Sequence, residues 1–580
     1  MWCDKCKKNV FAENEKCPDC GSDTQPLSPV LIYWCDNCKV PILNEIDPDK
    51  HKENCPICDT KIKYLCKDLR PVFPEERLLV ESILDKPFAW KDKSVWVNDS
   101  RYYVDGKPIV LNINKILYID IDPLKKVLSE YEDTNDYQVF NEYIDLFIRA
   151  NQKRLNDIKS ESFDFIRKVS LKYRPEQLVV SFSGGKDSTV VDDLATRALS
   201  NPSLIRIFCD TTLEFSYTHD YVSRFRRDNP KAIIKTAKNK EQDFYKVCED
   251  IGPPARMLRW CCTMFKTGPI TRSLNSSFKD EQVMSFYGIR KAESASRKKY
   301  TRLNETIHKK IQKQNVSSPI LYWMDIEIWL YILGEKIDFN DAYRLGYDRV
   351  GCWCCPNNSM RAQMLSRIYM PEQSMKWREF LIDFAKTLGK TDPAEYVDSG
   401  GWKARQGGKG IASSGDVIIR FTNCTAEDNA KIYNLNKPIS ENFYNLFVPF
   451  GKVSMELGRK ALGEVLVLDI KTNTPIISMQ PFNQQGYDYP VKIRTMNVSD
   501  NDNERLQRQI AYQVKKFNAC RKCLKCESVC TLNAIKISGN DYKIDDKICV
   551  RCRQCLNPKL LSGGCHMDKF LKTRKDGYEN

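Results

Sequence analysis

Cysteine is the residue type in this chain with the most evident chemistry. The sequence contains 25 cysteines, and most of them stand in Cys-x2-Cys pairs. The N-terminal residues form no apolar signal-peptide core, so we expect a cytoplasmic protein whose cysteines bind metal rather than form disulfides. Histidine is scarce, since the chain has only His51, His219, His308 and His566. Metal chemistry must therefore rest on thiolates.

Residues 1–66 contain one cysteine pattern twice, WCDKC then CPDCG and WCDNC then CPICD. Four thiolates from two pairs are the ligand set of a closed tetrahedral zinc site. Segments this short cannot bury a core alone, so the metal would supply their folding energy. The copies resemble zinc ribbons that dock nucleic acid or protein or act as a structural clip, and rubredoxin-like iron is the alternative metal. The predicted ligands of two Zn²⁺ ions are Cys3, Cys6, Cys17, Cys20, Cys35, Cys38, Cys55 and Cys58.

A glycine pair lies in QLVVSFSGGKDSTVV, between an apolar run and a helical pattern. In such a strand–loop–helix, Gly184 and Gly185 let backbone N–H groups converge on an anion at the helix N-terminus. The loop is not a Walker A motif, because Val180 stands where the first glycine is required. The predicted catalytic side chains are Ser183, Lys186, Asp187 and Ser188, and the hydroxyl groups of Ser181 and Thr189 are further phosphate contacts.

The string SGGKDS in this context resembles the PP-loop of ATP pyrophosphatases and of the phosphoadenylylsulfate (PAPS) reductase superfamily. Further strings match in chain order: FCDTTLEFSYT, YGIRKAESASR, PILYWMDIEIWLYI and NDAYRLGYDRVGCWCCP. The resemblance runs from residue 176 to 360 and implies an adenine nucleotide, ATP or adenylylsulfate. It also implies Mg²⁺ that bridges phosphates, with Asp187 orienting the metal or the nucleotide.

The same resemblance assigns roles to polar side chains outside the loop. Asp210 and Glu214 are the candidates for holding the adenosine, and helix capping is their alternative role. Arg290, Lys291 and Arg297 would face the phosphate or sulfate, and a salt-bridged surface is the alternative for these three.

Adjacent Cys261 and Cys262, followed by Cys352 and Cys355, resemble the 4Fe–4S ligation of cluster-bearing adenylylsulfate reductases. Four thiolates are the usual ligands of such a cluster. A zinc site and reduced structural thiols are the alternatives. Cys354 lies between the last two and leaves the identity of the fourth ligand open. Lys266 and Arg259 flank the first pair and could couple a cluster to an anionic substrate.

Residues 511–580 contain a bacterial ferredoxin run with Thr531 in place of the usual proline. A second run follows, and its fourth cysteine is delayed by an insertion. Because the fourth cysteine of each run ligates the other cluster, we expect two 4Fe–4S clusters here, three in the chain, and electron delivery from a partner. Zinc binding and a purely structural tail are the alternatives. The predicted sets are Cys520, Cys523, Cys526 and Cys565, and Cys530, Cys549, Cys552 and Cys555.

These sites require several domains. Residues 176–400 alternate strand-like and helical stretches, which predicts a parallel α/β sheet, and the resemblance makes this an adenine nucleotide α-hydrolase-like PP-loop domain. The expected multidomain order is zinc ribbons at 1–66, a small β-rich unit at 67–135 with a turn at Asp105-Gly106, one amphipathic helix at 136–175, the PP-loop domain at 176–400, a β-rich module of unknown role at 401–510, and a ferredoxin-like domain at 511–580.

Composition limits the partners. The net charge of +15 suits a polyanion such as tRNA or DNA, or simply a solvated lysine-rich surface. No run of ~18 apolar residues occurs, so we expect no membrane span.

Three functions remain open from the sequence. The first is adenylation of a nucleic acid followed by sulfur insertion, with a donor such as a cysteine desulfurase, because RKAES and GCWxC resemble the DNA phosphorothioation sulfurtransferase. The second is reduction of adenylylsulfate or PAPS. The Glu-Cys-Gly-x-His tail of those reductases is absent from this sequence, although ferredoxin-type electron supply could replace its thiol. The third is a non-catalytic scaffold, which the intact SGGKDS string disfavours.

Overall fold

A computed structural model describes residues 1–11, 16–111, 120–131, 135–256, 258–278, 281–304, 311, 313–404, 418–520, 522, 524–538, 541–556 and 572–576. Within these ranges, no helix combines the length and the apolar composition needed to cross a membrane.

The two N-terminal cysteine repeats fold in the same way. Each forms a three-stranded antiparallel sheet whose central strand ends at the first cysteine of the repeat. Trp2 and Trp34 precede that cysteine, and both indoles are buried. The strands are Trp2–Cys3, Lys8–Asn9 and Thr24–Gln25 in the first repeat, and Val30–Cys35, Val40–Glu45 and Lys63–Cys66 in the second.

A small four-stranded antiparallel sheet follows the ribbons. Its last two strands are joined by a hairpin turn at Asp105 and Gly106, as the sequence predicts. Both turn residues have positive φ, 47° and 78°, which suits a two-residue type I′ turn. The strands are Arg70–Pro71, Val95–Asn98, Arg101–Val104 and Lys107–Val110, and the nearby helices are Pro74–Ile83 and Ile121–Ser129.

Two helices, Asn135–Ala150 and Gln152–Ser170, replace the single helix expected over 136–175. They separate at Asn151, whose side chain is fully buried. Its amide oxygen accepts the N–H of Leu43 at 2.7 Å, and its amide nitrogen donates to the carbonyl of Pro41 at 2.9 Å. An asparagine side chain that bonds to a neighbouring backbone competes with helix continuation. The break therefore depends on docking against the second ribbon.

The central domain contains the parallel sheet that its alternating pattern predicts. Five of the six strands are parallel, and the sixth is a short antiparallel edge strand. Chain order reverses beside the strand Leu178–Ser181, and ligands of such sheets bind at the carboxyl ends of the strands at this switch point. In spatial order the strands are Ile233–Lys238, Ile205–Asp210, Leu178–Ser181, Val283–Phe286, Gln314–Ser317 and Leu303–Asn304.

Helices cover both faces of this sheet. Val180 packs with Leu155 and Val191 on one face, and its neighbour Val179 packs with Leu274 on the other. This alternation is that of a strand buried on both sides. The helices of the domain are Lys186–Ala198, Ser216–Asp228, Phe244–Ile251, Trp260–Cys262, Gly268–Phe278, Asp325–Gly334, Met360–Tyr369, Pro371–Thr387 and Pro393–Asp398.

The C-terminal part differs from the predicted division at residue 510. The helix Asp500–Ala519 crosses that boundary, and one apolar core includes Val467 and Ile477 of the sheet together with Val514 and Val529. The β-rich module and the cysteine region therefore share a core. The sheet strands are Ile418–Asn423, Ala430–Leu435, Lys452–Ser454, Val465–Leu468, Pro475–Pro481, Tyr489–Thr495 and Lys572–Lys575. The other elements are the helices Glu441–Asn445 and Lys525–Ser528 and the hairpin strands Ile535–Ser538 and Asp541–Ile544.

Candidate functional site

The glycine loop joins the central strand to the helix Lys186–Ala198. Gly184 has a φ of 73°, and a Cβ on it would lie 2.9 Å from the Cγ2 atom of Thr218. Both the backbone conformation and the space therefore require glycine at this position. Gly185 is the N-cap of the helix and has extended backbone angles, so the first N–H groups of the helix face the loop.

Side-chain hydroxyl groups close the loop. Ser188 Oγ accepts the Ser183 N–H at 3.1 Å and donates to the Gly185 carbonyl at 2.8 Å. The hydroxyl of Tyr343 accepts the Lys186 N–H at 3.0 Å. Sequence reasoning did not predict this contact. Ser183 and Ser188 thus shape the loop as well as line it.

The two outer hydroxyl candidates differ in position. Ser181 ends the central strand and is half-buried, close to the loop. Thr189 is buried, and its hydroxyl lies 2.9 Å from that of Tyr221. Thr189 therefore holds the helix to its neighbour, and its phosphate contact stays a prediction.

Four charged groups meet at the first turn of this helix. The Nζ atom of Lys186 lies 3.2 Å from an oxygen of Asp325 and 3.5 Å from an oxygen of Asp187. Arg290 donates to Asp187 through Nε and to Asp325 through Nη2, the latter at 2.8 Å. Two cations and two carboxylates therefore neutralise each other, and sequence reasoning missed Asp325.

The charges in this group hold one another ionised. Burial acts to lower the pKa of Lys186, but Asp187 and Asp325 outweigh it and the pKa lies above its ordinary value. Burial acts to raise the pKa of Asp187, but Arg290 and Lys186 outweigh it and the pKa lies below its ordinary value. An anionic ligand would meet cations that are already charged and would compete with the carboxylates for them.

The three predicted basic residues have different partners in the structure. Arg290 is buried at the loop, as described. Lys291 instead lies with its Nζ atom 4.7 Å from the ring centre of Tyr322, and Arg297 forms an ion pair with Glu293. Arg297 also interacts electrostatically with Asp187 and Arg290.

A segment from outside the central domain closes this side of the site. Asp68 follows the second ribbon and accepts the backbone N–H groups of Asp325 and Ile326 at 2.9 and 3.1 Å. Burial, and then repulsion from Asp325, raises the pKa of Asp68 to about 7. Arg70 donates to Asp348 at 2.8 Å, and the carbonyl of Asp348 accepts from Lys186. The N-terminal part of the chain thus helps to build the site.

Asp210 and Glu214 lie at the carboxyl end of the neighbouring strand. Asp210 accepts the Thr212 N–H at 2.8 Å and pairs with Lys238 at 2.9 Å. Glu214 accepts both the N–H and the hydroxyl of Thr211. Both carboxylates therefore stabilise this turn, and together with His219 they form a group that could hold a metal ion.

The cysteines of the central domain converge beside this same turn. Cys352 forms a β-bridge with Glu214, and its sulfur lies 3.6 Å from the hydroxyl of Thr211. Cys261 packs in the same apolar cluster as Cys352. Cys354 is buried in that cluster, whereas Cys355 is partly exposed, and the choice between them as the fourth ligand stays open. Cys262 is exposed.

The cysteines of each ribbon come together as a compact group that could hold a metal ion. Zn–S bonds of about 2.3 Å in a tetrahedron place the sulfur atoms about 3.8 Å apart, and the observed spacings are close to this. The Sγ–Sγ distances are 3.5 Å for Cys3 and Cys20, 3.8 Å for Cys6 and Cys17, 3.4 Å for Cys35 and Cys58, and 3.8 Å for Cys38 and Cys55.

All four ribbon pairs use the same backbone turn. The residue after the second cysteine has a left-handed conformation, and its N–H donates to the carbonyl of the first cysteine. These residues are Lys7, Gly21, Lys39 and Asp59. The turn aims both sulfurs of a pair to one side. In two pairs the N–H of the second cysteine also donates to the sulfur of the first.

Four C-terminal cysteines line one cavity that is open to solvent. They are the set that the spacing assigns to a single cluster, namely Cys530, Cys549, Cys552 and Cys555. Of the other set, Cys520 and Cys526 both interact with the buried Tyr542. Cys523 and Cys565 lie outside the described residues.

Known proteins resemble this chain over about half of its length or less. Two uncharacterized proteins of Methanocaldococcus jannaschii are 31% identical to this chain over 321 residues and 32% identical over 269 residues. These matches cover 54% and 46% of this chain and 64% and 61% of the two proteins. The chain therefore spans less than two thirds of either relative.

An adenosine 5′-phosphosulfate reductase of Staphylococcus epidermidis is 26% identical over 211 residues, which are 35% of this chain and 80% of that enzyme. Residues 177–358 match the family described as phosphoadenosine phosphosulfate reductase domain. That range contains the glycine loop, the charged group around Lys186 and all four central cysteines. Residues 177–358 of this chain are therefore similar to the phosphoadenosine phosphosulfate reductase domain.

Proposed function

We propose that this protein binds an adenylylated sulfate on its glycine loop and reduces it to sulfite. The main support for the proposal is that the segment from Tyr343 to Cys352 connects the glycine loop to the cysteines of the central domain. Tyr343 accepts the Lys186 N–H at the start of this segment, and Cys352 bridges to Glu214 at its end. The phosphate-binding groups of the glycine loop and the thiolates of the central cysteines would thus both border the position proposed for the substrate.

The loop and its cations would hold the negatively charged end of the substrate. The backbone N–H groups of Gly184 and Gly185 would supply hydrogen-bond donors at a helix N-terminus. Lys186 and Arg290 supply charge once the anion displaces Asp187 and Asp325 from them. Asp210 and Glu214, which follow the adjacent strand, are placed to contact the adenosine.

The central cysteines fit a 4Fe–4S cluster by the chemistry of their donor set. Cys261, Cys262, Cys352 and Cys355 would be its ligands, and the cluster would supply electrons or positive potential beside the substrate. The two C-terminal sets would hold two further 4Fe–4S clusters, and the ribbons two Zn²⁺ ions.

The proposed reaction balances with two electrons. The bond between sulfur and the bridging oxygen of adenylylsulfate breaks, and that oxygen leaves with AMP. Sulfur gains the two electrons and leaves as sulfite. The electrons would come from a reduced one-electron carrier that acts as partner of the C-terminal cysteine region.

A second candidate is adenylation of tRNA or DNA followed by sulfur insertion. The contact between the ribbons and the site favours it, because the hydroxyl of Tyr322 donates to the carbonyl of Thr24 in the first ribbon, and Tyr322 contacts Lys291. The net charge of +15 suits such a substrate. ATP with Mg²⁺ oriented by Asp187 would then occupy the loop, and a cysteine desulfurase would supply sulfur.

One experiment separates the two candidates. Anaerobically purified protein is given adenylylsulfate and reduced methyl viologen, and AMP and sulfite are measured; in parallel it is given ATP, Mg²⁺ and either tRNA or DNA, and pyrophosphate is measured. Reduction predicts equal amounts of AMP and sulfite, lowered about 10²-fold or more by Lys186→Ala. The exposed Lys172→Ala is the matched control.

Pyrophosphate release that depends on nucleic acid, without sulfite formation, would overturn the reductase in favour of the second candidate. Absence of both products from protein with a full iron content would leave the scaffold role.

A further inference from the structure

A bidentate ion pair joins the central domain to the C-terminal cysteine region. Arg272 lies on the helix Gly268–Phe278, and Glu527 directly follows Cys526 on the helix Lys525–Ser528. Nε and Nη2 of Arg272 donate to the two carboxylate oxygens of Glu527 at 2.8 and 2.9 Å. We infer that this pair positions the cysteine region against the segment following Cys262, so that electrons cross between the two cysteine groups here.

The geometry of the pair is that of a fixed contact. A guanidinium and a carboxylate joined by two parallel hydrogen bonds hold a defined orientation, unlike a lysine point charge. Arg272 Nη2 also donates to the carbonyl of Ile537 at 2.7 Å, and the N–H of Ile537 donates to Glu527 at 3.2 Å. Arg272 is thus bonded to two elements of the cysteine region at once.

The contact lies beside the turn that follows Cys262. A π-helical turn, Thr263–Thr267, connects Cys262 to the helix that bears Arg272, and this turn contacts the helix that bears Cys526. π-Helical turns are rare and occur frequently at functional sites. Cys262 therefore directly precedes one side of the contact, the π-helical turn, and Cys526 lies on the other side, the helix Lys525–Ser528.

Side chains of the parallel sheet hold the π-helical turn in place. Asn239 donates from Nδ2 to the carbonyl of Met264 at 3.0 Å. The thiol of Cys209 donates to the carbonyl of Phe265 at 3.2 Å. Cys209 lies near the end of the strand Ile205–Asp210, and Asn239 directly follows the adjacent strand Ile233–Lys238, so both lie at the edge of the sheet where the nucleotide would bind. The turn is consequently fixed both to the sheet and to the cysteine region.

The inference rests on the proposed function in one respect, namely that both cysteine groups hold iron–sulfur clusters. Reduction of adenylylsulfate consumes two electrons, and clusters pass electrons one at a time, so transfer must occur repeatedly within one turnover. Electron transfer weakens steeply with distance, and a domain that moved freely would interrupt it. Arg272 and Glu527 act as positioning residues, since neither contacts the substrate site.

The test uses the full-length protein, purified anaerobically with its clusters, in variants that break and rebuild the pair. Arg272→Met and Glu527→Gln break it, and the double variant Arg272→Glu with Glu527→Arg rebuilds it with the charges exchanged. Arg459→Met is the matched control, because it breaks another bidentate pair, with Glu464, that lies in the C-terminal sheet.

Three measurements without nucleotide report on the contact. They are the magnetic coupling between reduced clusters in electron paramagnetic resonance, the rate at which the central cluster is reduced in stopped flow, and amide hydrogen exchange of residues 263–278. Iron content is measured in parallel and must be equal among the variants compared.

We expect Arg272→Met and Glu527→Gln to weaken the docked state about tenfold, as loss of a charge-assisted bidentate contact implies. Magnetic coupling then decreases, reduction of the central cluster slows, and residues 263–278 exchange faster. The exchanged pair recovers all three signals, and Arg459→Met leaves them unchanged. Glu527→Gln keeps the side-chain shape and tests the inference even if Arg272→Met folds poorly.

Unchanged coupling and an unchanged reduction rate in both single variants would overturn the inference. Failure of the proposed function gives a different result, in which the wild-type protein shows coupled clusters and rapid internal reduction but releases no sulfite. The two ideas can therefore fail separately.

Discussion

Gly288 lies so close to Asp187 that a Cβ atom on it would be 2.6 Å from the carbonyl carbon of Asp187. The same Cβ would lie 2.8 Å from the amide nitrogen of Ser188. The turn after the strand Val283–Phe286 is thereby pressed against the first turn of the helix that begins at the glycine loop. This contact places Arg290, two residues later, beside Asp187.

Gly288→Ala should therefore weaken ligand binding at the loop. The added methyl group must push the turn or the helix away, and overpacking of this kind costs about 1–3 kcal/mol. We expect a lower thermal midpoint and weaker binding of adenylylsulfate or AMP in calorimetry. Gly351→Ala is the control, because its Cβ would meet no atom within 4 Å. Equal binding by both variants would contradict the close approach.

Asp68 should make stability depend on pH. Because burial raises its pKa from 3.8 to about 7, the folded protein holds this proton more tightly than the unfolded chain. The stability that this proton contributes is fully present below pH 3.8 and is lost as pH rises towards 7. We expect the free energy of unfolding of wild type, relative to Asp68→Asn, to fall across this window.

Chemical denaturation of both proteins at several pH values measures this difference. Asp105→Asn provides a comparison, since its carboxylate is also partly buried but lies in the hairpin turn. A constant difference between wild type and Asp68→Asn across the window would contradict the raised pKa.

Metal analysis should give about twelve iron and about two zinc atoms per chain, from three clusters and two ribbons. Cys6→Ser should remove one zinc and leave the iron content unchanged, because Cys6 belongs only to the first ribbon. Cys549→Ser should lower iron and leave zinc unchanged. Atomic emission measurements on anaerobic protein decide this, and loss of iron from Cys6→Ser would indicate rubredoxin-like iron in the ribbon.

Asn151→Ala should destabilise the junction between the ribbons and the central domain. It leaves the buried N–H of Leu43 without its partner, which costs about 1–3 kcal/mol. We expect a lower midpoint in urea and faster amide exchange in the strand Val40–Glu45. Asn156→Ala is the control, because that residue is exposed on the following helix. An equal midpoint for the two variants would rule out this structural role for Asn151.

Local features of the fold could be predicted from the sequence. The ribbon pairs, the glycine loop and the hairpin at Asp105-Gly106 each depend on residues a few positions apart, so their spacing reports their conformation directly. The parallel sheet was predictable for a similar reason, since alternating strands and helices leave few other arrangements. The helix break at Asn151 was not, because its cause lies in a strand of the second ribbon.

The sequence by itself determined which chemical groups this protein has: thiolate pairs, a glycine loop with its lysine, and an α/β scaffold to carry them. Only the tertiary structure decided which groups meet. Tyr343 reaches Lys186 across 157 positions, and Arg272 reaches Glu527 across 255. Such contacts follow from packing of the sheet, ribbons and C-terminal core. The residues next to each side chain in the sequence do not indicate which distant side chain will become its partner.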